Sequence, residues 1–207
     1  MPNNIKHLWF DFSATLAFID AARRDQLRYS TYAELIGRPI SPTLIAEYND
    51  LYEKFDHNNT AIFHSLGQSA NFWSERIDLS GTAGLYQLAR KNIPDVLEKI
   101  RAVVPVSIFS NIDLGSILIE LGLRPEWFTH ILSSGMVKEP KPALDGFYKI
   151  IELSRLPAAN IIYIGDHLGK DIRPAKKVGL RAGLMWAKSP EADYSFEKFE
   201  DILEIFE

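Results

Sequence analysis

The chain has 207 residues, 46% hydrophobic and 24% charged, which suits a globular protein of one domain with an insertion or of two small domains. A formal net charge of -4, and no basic run longer than Arg23-Arg24, argue against a nucleic-acid partner. The absence of cysteine excludes a disulfide framework, a thiolate nucleophile and a cysteine-based zinc site. No apolar run approaches the length of a membrane span, and the N-terminus lacks a basic region followed by a long apolar segment. The expectation is a cytoplasmic protein with no membrane partner.

In chain order, residues 5–16 open with an apolar run in which Leu8, Trp9, Phe10 and Phe12 suit a strand buried on both faces. An Asp fits inside such a run only if the strand ends there. Asp11 would then stand at the carboxyl end of a central strand, where open α/β sheets place their ligands; the alternative is that it caps a turn. Ser13-Ala14-Thr15 are small enough to let backbone N–H groups approach an anion. Residues 21–35 read as a helix carrying Leu27, Tyr32 and Leu35 and ended by Gly37. Ser41 suits an N-cap with Pro42 at the first helical position, and the helix runs through Leu44, Ile45, Tyr48, Leu51 and Tyr52. His57-Asn58-Asn59-Thr60 read as a loop, Phe72, Trp73 and Ile77 as another helix, and residues 85–88 as a short further one. Nothing in this stretch reads as a strand. The expected organisation is a helical cap domain at 19–91 inserted into a core made of 1–18 and 92–207.

From Pro94 the pattern alternates. A helix opens there, and residues 105–109 form a strand ending in Ser110-Asn111. A helix at 114–121 stops at Gly122, and a short strand at 130–132 leads into the loop SSGMVKEPKP. A helix at 144–153 precedes a strand at 160–164 that ends in Gly165-Asp166. A helix at 172–178 closed by Gly179, a strand at 181–186 and an edge helix at 196–206 complete the chain. The alternation predicts an α/β fold with a doubly wound parallel sheet.

The polar strand ends are the candidate chemistry. Asp11, Ser110-Asn111 and Asp166 each follow a strand, and Lys141 follows another by a short loop, so a parallel sheet would bring all four to one edge. Two carboxylates meeting there repel each other unless a cation lies between them. Mg2+ suits an oxygen site of this kind. Asp171, further along GDHLGKD, could hold a metal-bound water or orient Lys141. An acid nucleophile, Mg2+, a lysine and a hydroxyl are the parts needed for phosphoryl transfer through an aspartyl phosphate.

These residues resemble the motifs of the haloacid dehalogenase-like superfamily, in the subgroup whose helical cap follows the first motif. Asp11-Phe12-Ser13-Ala14-Thr15 is similar to its DxDxT, VSIFSN to the strand ending in Ser or Thr, KPALDGF to the lysine–proline motif with its later Phe147, and GDHLGKD to GDxxxxD. The resemblance covers residues 5–16 and 94–186, and it implies a Rossmann-like core and a small phosphorylated substrate. It also implies roles. Asp11, Ser13 and Lys141 fall in the catalytic positions, with Asp11 as nucleophile. Asp11, the backbone carbonyl of Ser13 and Asp166 would bind Mg2+, with Asp171 behind them. Ser110, Asn111, Lys141 and Thr15 would form the phosphate site, Thr15 supporting the loop. The KP…F spacing favours Lys141 over Lys138.

Two residues depart from the pattern. Ser13 stands where the family's phosphatases carry the acid/base Asp, and a hydroxyl is a much poorer proton donor and acceptor at neutral pH. Ala14 replaces the usual Gly, which strains the turn if it needs a positive φ. The leading expectation is a Mg2+-dependent phosphatase-type hydrolase, slowed by Ser13. The alternative is a weak or inactive member that binds a phosphorylated ligand or partner. Carbon–halogen cleavage fits poorly with Asp166. Carbon–phosphorus cleavage needs a cap lysine, and Lys54 reads as a solvated surface residue. His64, Asn58, Asn59 and Arg76 are candidates for facing substrate, with plain exposure as the alternative; His167, beside Asp166, reads as a surface residue.

Overall fold

A computed structural model describes residues 4–207, the side chain of Ser134 excepted. The apolar run at the start forms strand β1, His7–Phe10, buried along its whole length. After the turn that follows Asp11 comes β2, Ala17–Ile19. Four helices succeed it: α1 Ala21–Ile36, α2 Pro42–Lys54, α3 Asn59–Ser65 and α4 Phe72–Ser80. Helix α1 begins at an Asp20 cap and ends, as its sequence predicts, on Gly37, which is in the left-handed conformation. Ser41 caps α2 ahead of Pro42.

Residues 85–88 are not helical. Tyr86–Leu88 is strand β3 and pairs antiparallel with β2, Ile19 opposite Tyr86. Stretch 19–91 therefore does contain strand, and β2 and β3 form a two-stranded ribbon where the chain leaves and re-enters the sheet layer. Three residues are too few for a period to tell strand from helix. The expected loop at 57–60 is likewise cut short: Asn58 caps α3, its side chain accepting from the Ala61 N–H at 3.2 Å.

The rest alternates as expected: α5 Ile93–Arg101, β4 Val106–Phe109, α6 Gly115–Glu120, β5 Ile131–Leu132, α7 Asp145–Ser154, β6 Ile161–Gly165, α8 Arg173–Lys177 and β7 Arg181–Met185. The C-terminal stretch departs from expectation. Tyr194–Phe196 is a strand, β8, and Phe199–Phe206 is a 3₁₀ helix that buries Phe199, Ile202 and Ile205 instead of lying at an edge. Six of the eight strands among the described residues form one sheet in the order β5-β4-β1-β6-β7-β8, and every pairing in it is parallel. Both faces are covered, which explains the unbroken apolar strands. Leu8, Phe10, Ile108 and Ile164 point into one core, and Trp9, Phe109, Tyr163 and Leu184 into the other. No helix among the described residues is long and apolar enough to cross a membrane.

Candidate active site

The strand order puts β1 between β4 and β6, so Asp11, Ser110-Asn111 and Asp166 emerge side by side at the carboxyl edge. The Asp11 N–H donates to the Ile164 carbonyl at 2.8 Å and the Ser110 N–H to the Leu132 carbonyl at 2.9 Å, which fixes both ends. Lys141 reaches the same point from the loop after β5. Its ammonium, almost wholly buried, donates to Asp11 Oδ1 at 2.6 Å, the Tyr163 hydroxyl at 2.7 Å and Asp171 Oδ1 at 2.8 Å. All three of its protons are thereby used. Burial opposes the charge, but Asp11 and Asp171 outweigh it and hold Lys141 above the usual lysine range.

The backbone of Lys141 is held as firmly. Its N–H donates to Asn111 Oδ1 at 2.8 Å, and its carbonyl accepts from Asn111 Nδ2 at 3.1 Å and Asn58 Nδ2 at 2.8 Å. The Asn111 amide is thus occupied as a clasp on the lysine. Asn58 does the same from the N-cap of α3. Lys138 is exposed, and its N–H binds Asp145 instead.

Asp171 lies on a single π-helical turn, Leu168–Ile172, the kind of irregularity that collects at functional sites. The turn aims its carboxylate back at the sheet, where Oδ2 accepts from the His167 N–H at 3.2 Å. Gly165 permits this approach, since a Cβ there would stand 2.5 Å from Asp171 Cβ. One oxygen each of Asp11, Asp166 and Asp171 lies within 4.8 Å of the others. Burial, then the charges of Asp11 and Asp171, push the Asp166 carboxyl up to about 7. Burial also raises Asp11, with Lys141 pulling the other way. A cation joining such carboxylates favours their ionised forms, and an all-oxygen donor set suits a hard divalent ion.

The loop after Asp11 closes the site. Thr15 Oγ1 donates to Asp11 Oδ2 at 3.4 Å. Ala14 has φ 63°, the left-handed region that the usual glycine would occupy without strain, and its carbonyl accepts from Trp186 Nε1 at 2.8 Å. Ser13 is half-buried in the cleft wall, its hydroxyl against that of Tyr86 on β3. Burial raises the Tyr86 hydroxyl above the ordinary tyrosine range. Ser110 also faces the cleft, its Oγ accepting from the Ile112 N–H at 3.2 Å.

The cleft, of about 390 Å³, holds Asp11, Ser13, Ser110, Asn111, Lys141, Asp166 and Asp171 in its walls. Residues from the four-helix stretch complete it, among them Arg24, Tyr52, Asn59 and Trp73. Of the candidates expected to face substrate, Asn58 and Asn59 line the cleft. His64 instead pairs with Glu139 at 2.7 Å and Arg76 with Glu34 at 2.6 Å. Lys54 is exposed outside it. His167 is tied down: its Nδ1 accepts from the Gly169 and Lys170 N–H groups, and its Nε2 lies 3.2 Å from Asp56. Sequence reasoning missed Tyr163, Tyr86, Trp186 and Arg24. Tyr163 had a signal in retrospect, a hydroxyl in the buried strand NIIYI that had to find a partner.

Residues 47–185 match the family described as haloacid dehalogenase-like hydrolase. The matched span holds Ser110, Lys141, Asp166 and Asp171 and begins after Asp11. Over 63 residues the chain is 36% identical to glyceraldehyde 3-phosphate phosphatase of Methanocaldococcus jannaschii, a match spanning 30% of this chain and 27% of that protein's length. Among solved structures, a HAD phosphatase from Thermococcus onnurineus is similar at a TM-score of 0.73, with 19% identity over 97% of each chain. The 2-haloacid dehalogenase from Pseudomonas syringae pv. Tomato DC3000 is similar at 0.65, with 20% identity over 97% of each chain. At such identities these structures share the fold alone.

Proposed function

The chain belongs to the haloacid dehalogenase-like hydrolase family, and from that premise we propose that it is a Mg2+-dependent phosphatase-type enzyme. It moves the phosphoryl group of a small phosphorylated metabolite onto Asp11 and then to water. One observation carries the reading: a buried ammonium, Lys141, is pinned to the carboxylate of Asp11 at the same sheet edge as Asp166 and Ser110. Residues 19–91 act as a cap over this edge.

In the first step an Asp11 oxygen attacks phosphorus, and the ester oxygen leaves with its bonding pair and takes up a proton. In the second, water attacks the same phosphorus, gives up a proton, and Asp11 returns as a carboxylate. Ser110 holds a phosphoryl oxygen, and Lys141, its three protons committed to Asp11, Tyr163 and Asp171, acts on the phosphoryl group as a fixed, buried positive charge. Asn111 and Asn58 keep the lysine backbone in place, and Tyr163 and Asp171 aim its ammonium. Thr15 steadies Asp11. Asp11, Asp166 and the Ser13 carbonyl would hold Mg2+, which when bound supplies positive charge against the phosphoryl oxygens.

Proton transfer is the weak part. The Ser13 hydroxyl lies against Tyr86, whose own hydroxyl is a poorer acid than usual. That observation favours a second reading, a weak member that chiefly binds a phosphorylated ligand. Hydrolysis of p-nitrophenyl phosphate, whose leaving group needs little protonation, separates the two. The enzyme reading expects turnover that is lost in Asp11→Asn and on chelation of Mg2+. Absence of turnover at every divalent-ion concentration leaves the binding reading.

A further inference from the structure

The cleft carries more positive charge than the phosphoryl chemistry uses. Lys141 is fully engaged, yet Arg24 and Lys170 also line the walls. Lys170 is partly buried, and its ammonium makes no ion pair or hydrogen bond among the described residues. Arg24 stands in the first turn of α1, where the helix dipole adds to its charge. Its Nε and Nη2 both bind Asp25 Oδ1, at 3.0 and 2.8 Å, leaving Nη1 without a partner.

Asp25 does not neutralise this group. The same oxygen lies 3.2 Å from Nε of Arg28, so one carboxylate serves two guanidinium groups. Arg28 is buried, with Nη1 unpartnered, and stacks on Tyr52 at 4.3 Å, while Arg24 lies 5.9 Å from the same ring. Tyr52 itself lines the cleft. Two guanidinium groups thus share one carboxylate beside the cleft, leaving a surplus positive charge, and Lys170 adds a second cation to the same lining.

We infer that Arg24, backed by Arg28, and Lys170 form a second anion subsite. The substrate class is then a phosphate monoester whose alcohol portion carries another anionic group, a carboxylate or a second phosphate. This rests on the phosphatase reading for the first anion, but it is tested by binding and so can fail separately. Arg24 and Lys170 touch the distal group and set specificity; Arg28 is a positioning residue.

The test uses the full chain with Mg2+ and non-hydrolysable phosphonates in isothermal titration. Phosphonopropionate carries the second charge, hydroxypropylphosphonate does not, and propane bisphosphonate carries phosphonate in place of carboxylate. The wild type should bind the doubly charged ligands about tenfold or more tightly than the neutral-tailed one, the range of hydrogen bonds to charged groups. That ratio should fall to about one in Arg24→Gln, fall in part in Lys170→Gln, and recover in part in Arg24→Lys. Which charged ligand binds better identifies the distal group. A ratio near one in the wild type overturns the subsite, as does a ratio that survives both Gln substitutions or a failure of every phosphonate to bind. A preference lost in Arg24→Gln alongside zero turnover of the matching esters keeps the subsite and removes the phosphatase reading.

Discussion

Replacing Lys141 by methionine keeps an apolar stem of similar length and removes only the ammonium. The consequence follows from the burial of the three groups involved: side chains only 4% exposed for Lys141, 8% for Asp11 and 2% for Asp171. Removing one partner of a buried ion pair costs about 3–5 kcal/mol, because the other charge is left without compensation. Here one ammonium serves two carboxylates, so Lys141→Met should cost about 4–5 kcal/mol in urea unfolding near neutral pH with chelator present. The pH dependence fixes the cause. Burial already lifts Asp11, and Lys141 opposes that rise. Without the lysine its folded-state pKa climbs further above the unfolded value. The folded variant then binds more protons than the unfolded chain between those two pKa values, so its stability grows as the pH falls through the raised pKa toward the unfolded one. The gap to the wild type should narrow on acidification and on adding Mg2+. A loss under about 1 kcal/mol, the scale of an exposed pair, refutes the reasoning, as does a gap that ignores pH.

Other outcomes follow from the same geometry. Ser13→Asp should raise kcat on an alkyl phosphate, by up to ~10²–10⁴-fold if the missing acid/base group is the whole defect, with a smaller gain on p-nitrophenyl phosphate; fast wild-type turnover of the alkyl ester would place the proton donor elsewhere. Ala14→Gly relieves the left-handed φ and should raise stability by about 1 kcal/mol in chemical denaturation. Gly146→Ala would put a Cβ 2.1 Å from the Phe109 ring and should cost about 1–3 kcal/mol by overpacking, seen as a lower Tm. His7, bonded to Ser107 at 2.9 Å, is held down to about 4 by burial and by His130. Its folded pKa lies below the unfolded one, so its contribution is complete above about pH 6.5 and is lost as the pH falls toward 4; between neutral pH and pH 4.5 the wild type should lose about 2–3 kcal/mol more than His7→Gln.

The alternation from Pro94 onward and the polar residue at each strand end were legible, because buried parallel strands are long apolar runs and an Asp can only terminate them. The same logic puts Asp11, Ser110 and Asp166 at one edge, with Lys141 reaching it by a short loop. What escaped has physical reasons. Strands β2, β3 and β8 have three residues each, less than two periods of any pattern. Asp171 was legible as a residue able to orient Lys141, which it does at 2.8 Å, but the π turn that aims it there was not. Trp186 supports the Ala14 carbonyl across 172 positions of sequence, and Arg24 became a cleft residue only when its neighbours in space were known. Asn111 was legible as a site residue, but its clasp on the Lys141 backbone depends on a distant loop.

The central claim is that Asp11 takes the phosphoryl group. Ser13 bears on how it is seen: with no carboxylate in that position, breakdown of the acyl phosphate should be slow and the adduct should accumulate. Acid-quenched protein, incubated with Mg2+ and p-nitrophenyl phosphate, should show a phosphoryl mass increase that peptide mapping places on Asp11, and Asp11→Asn should show neither adduct nor turnover. Turnover by the wild type with the adduct on another residue, or turnover that persists in Asp11→Asn, contradicts the account.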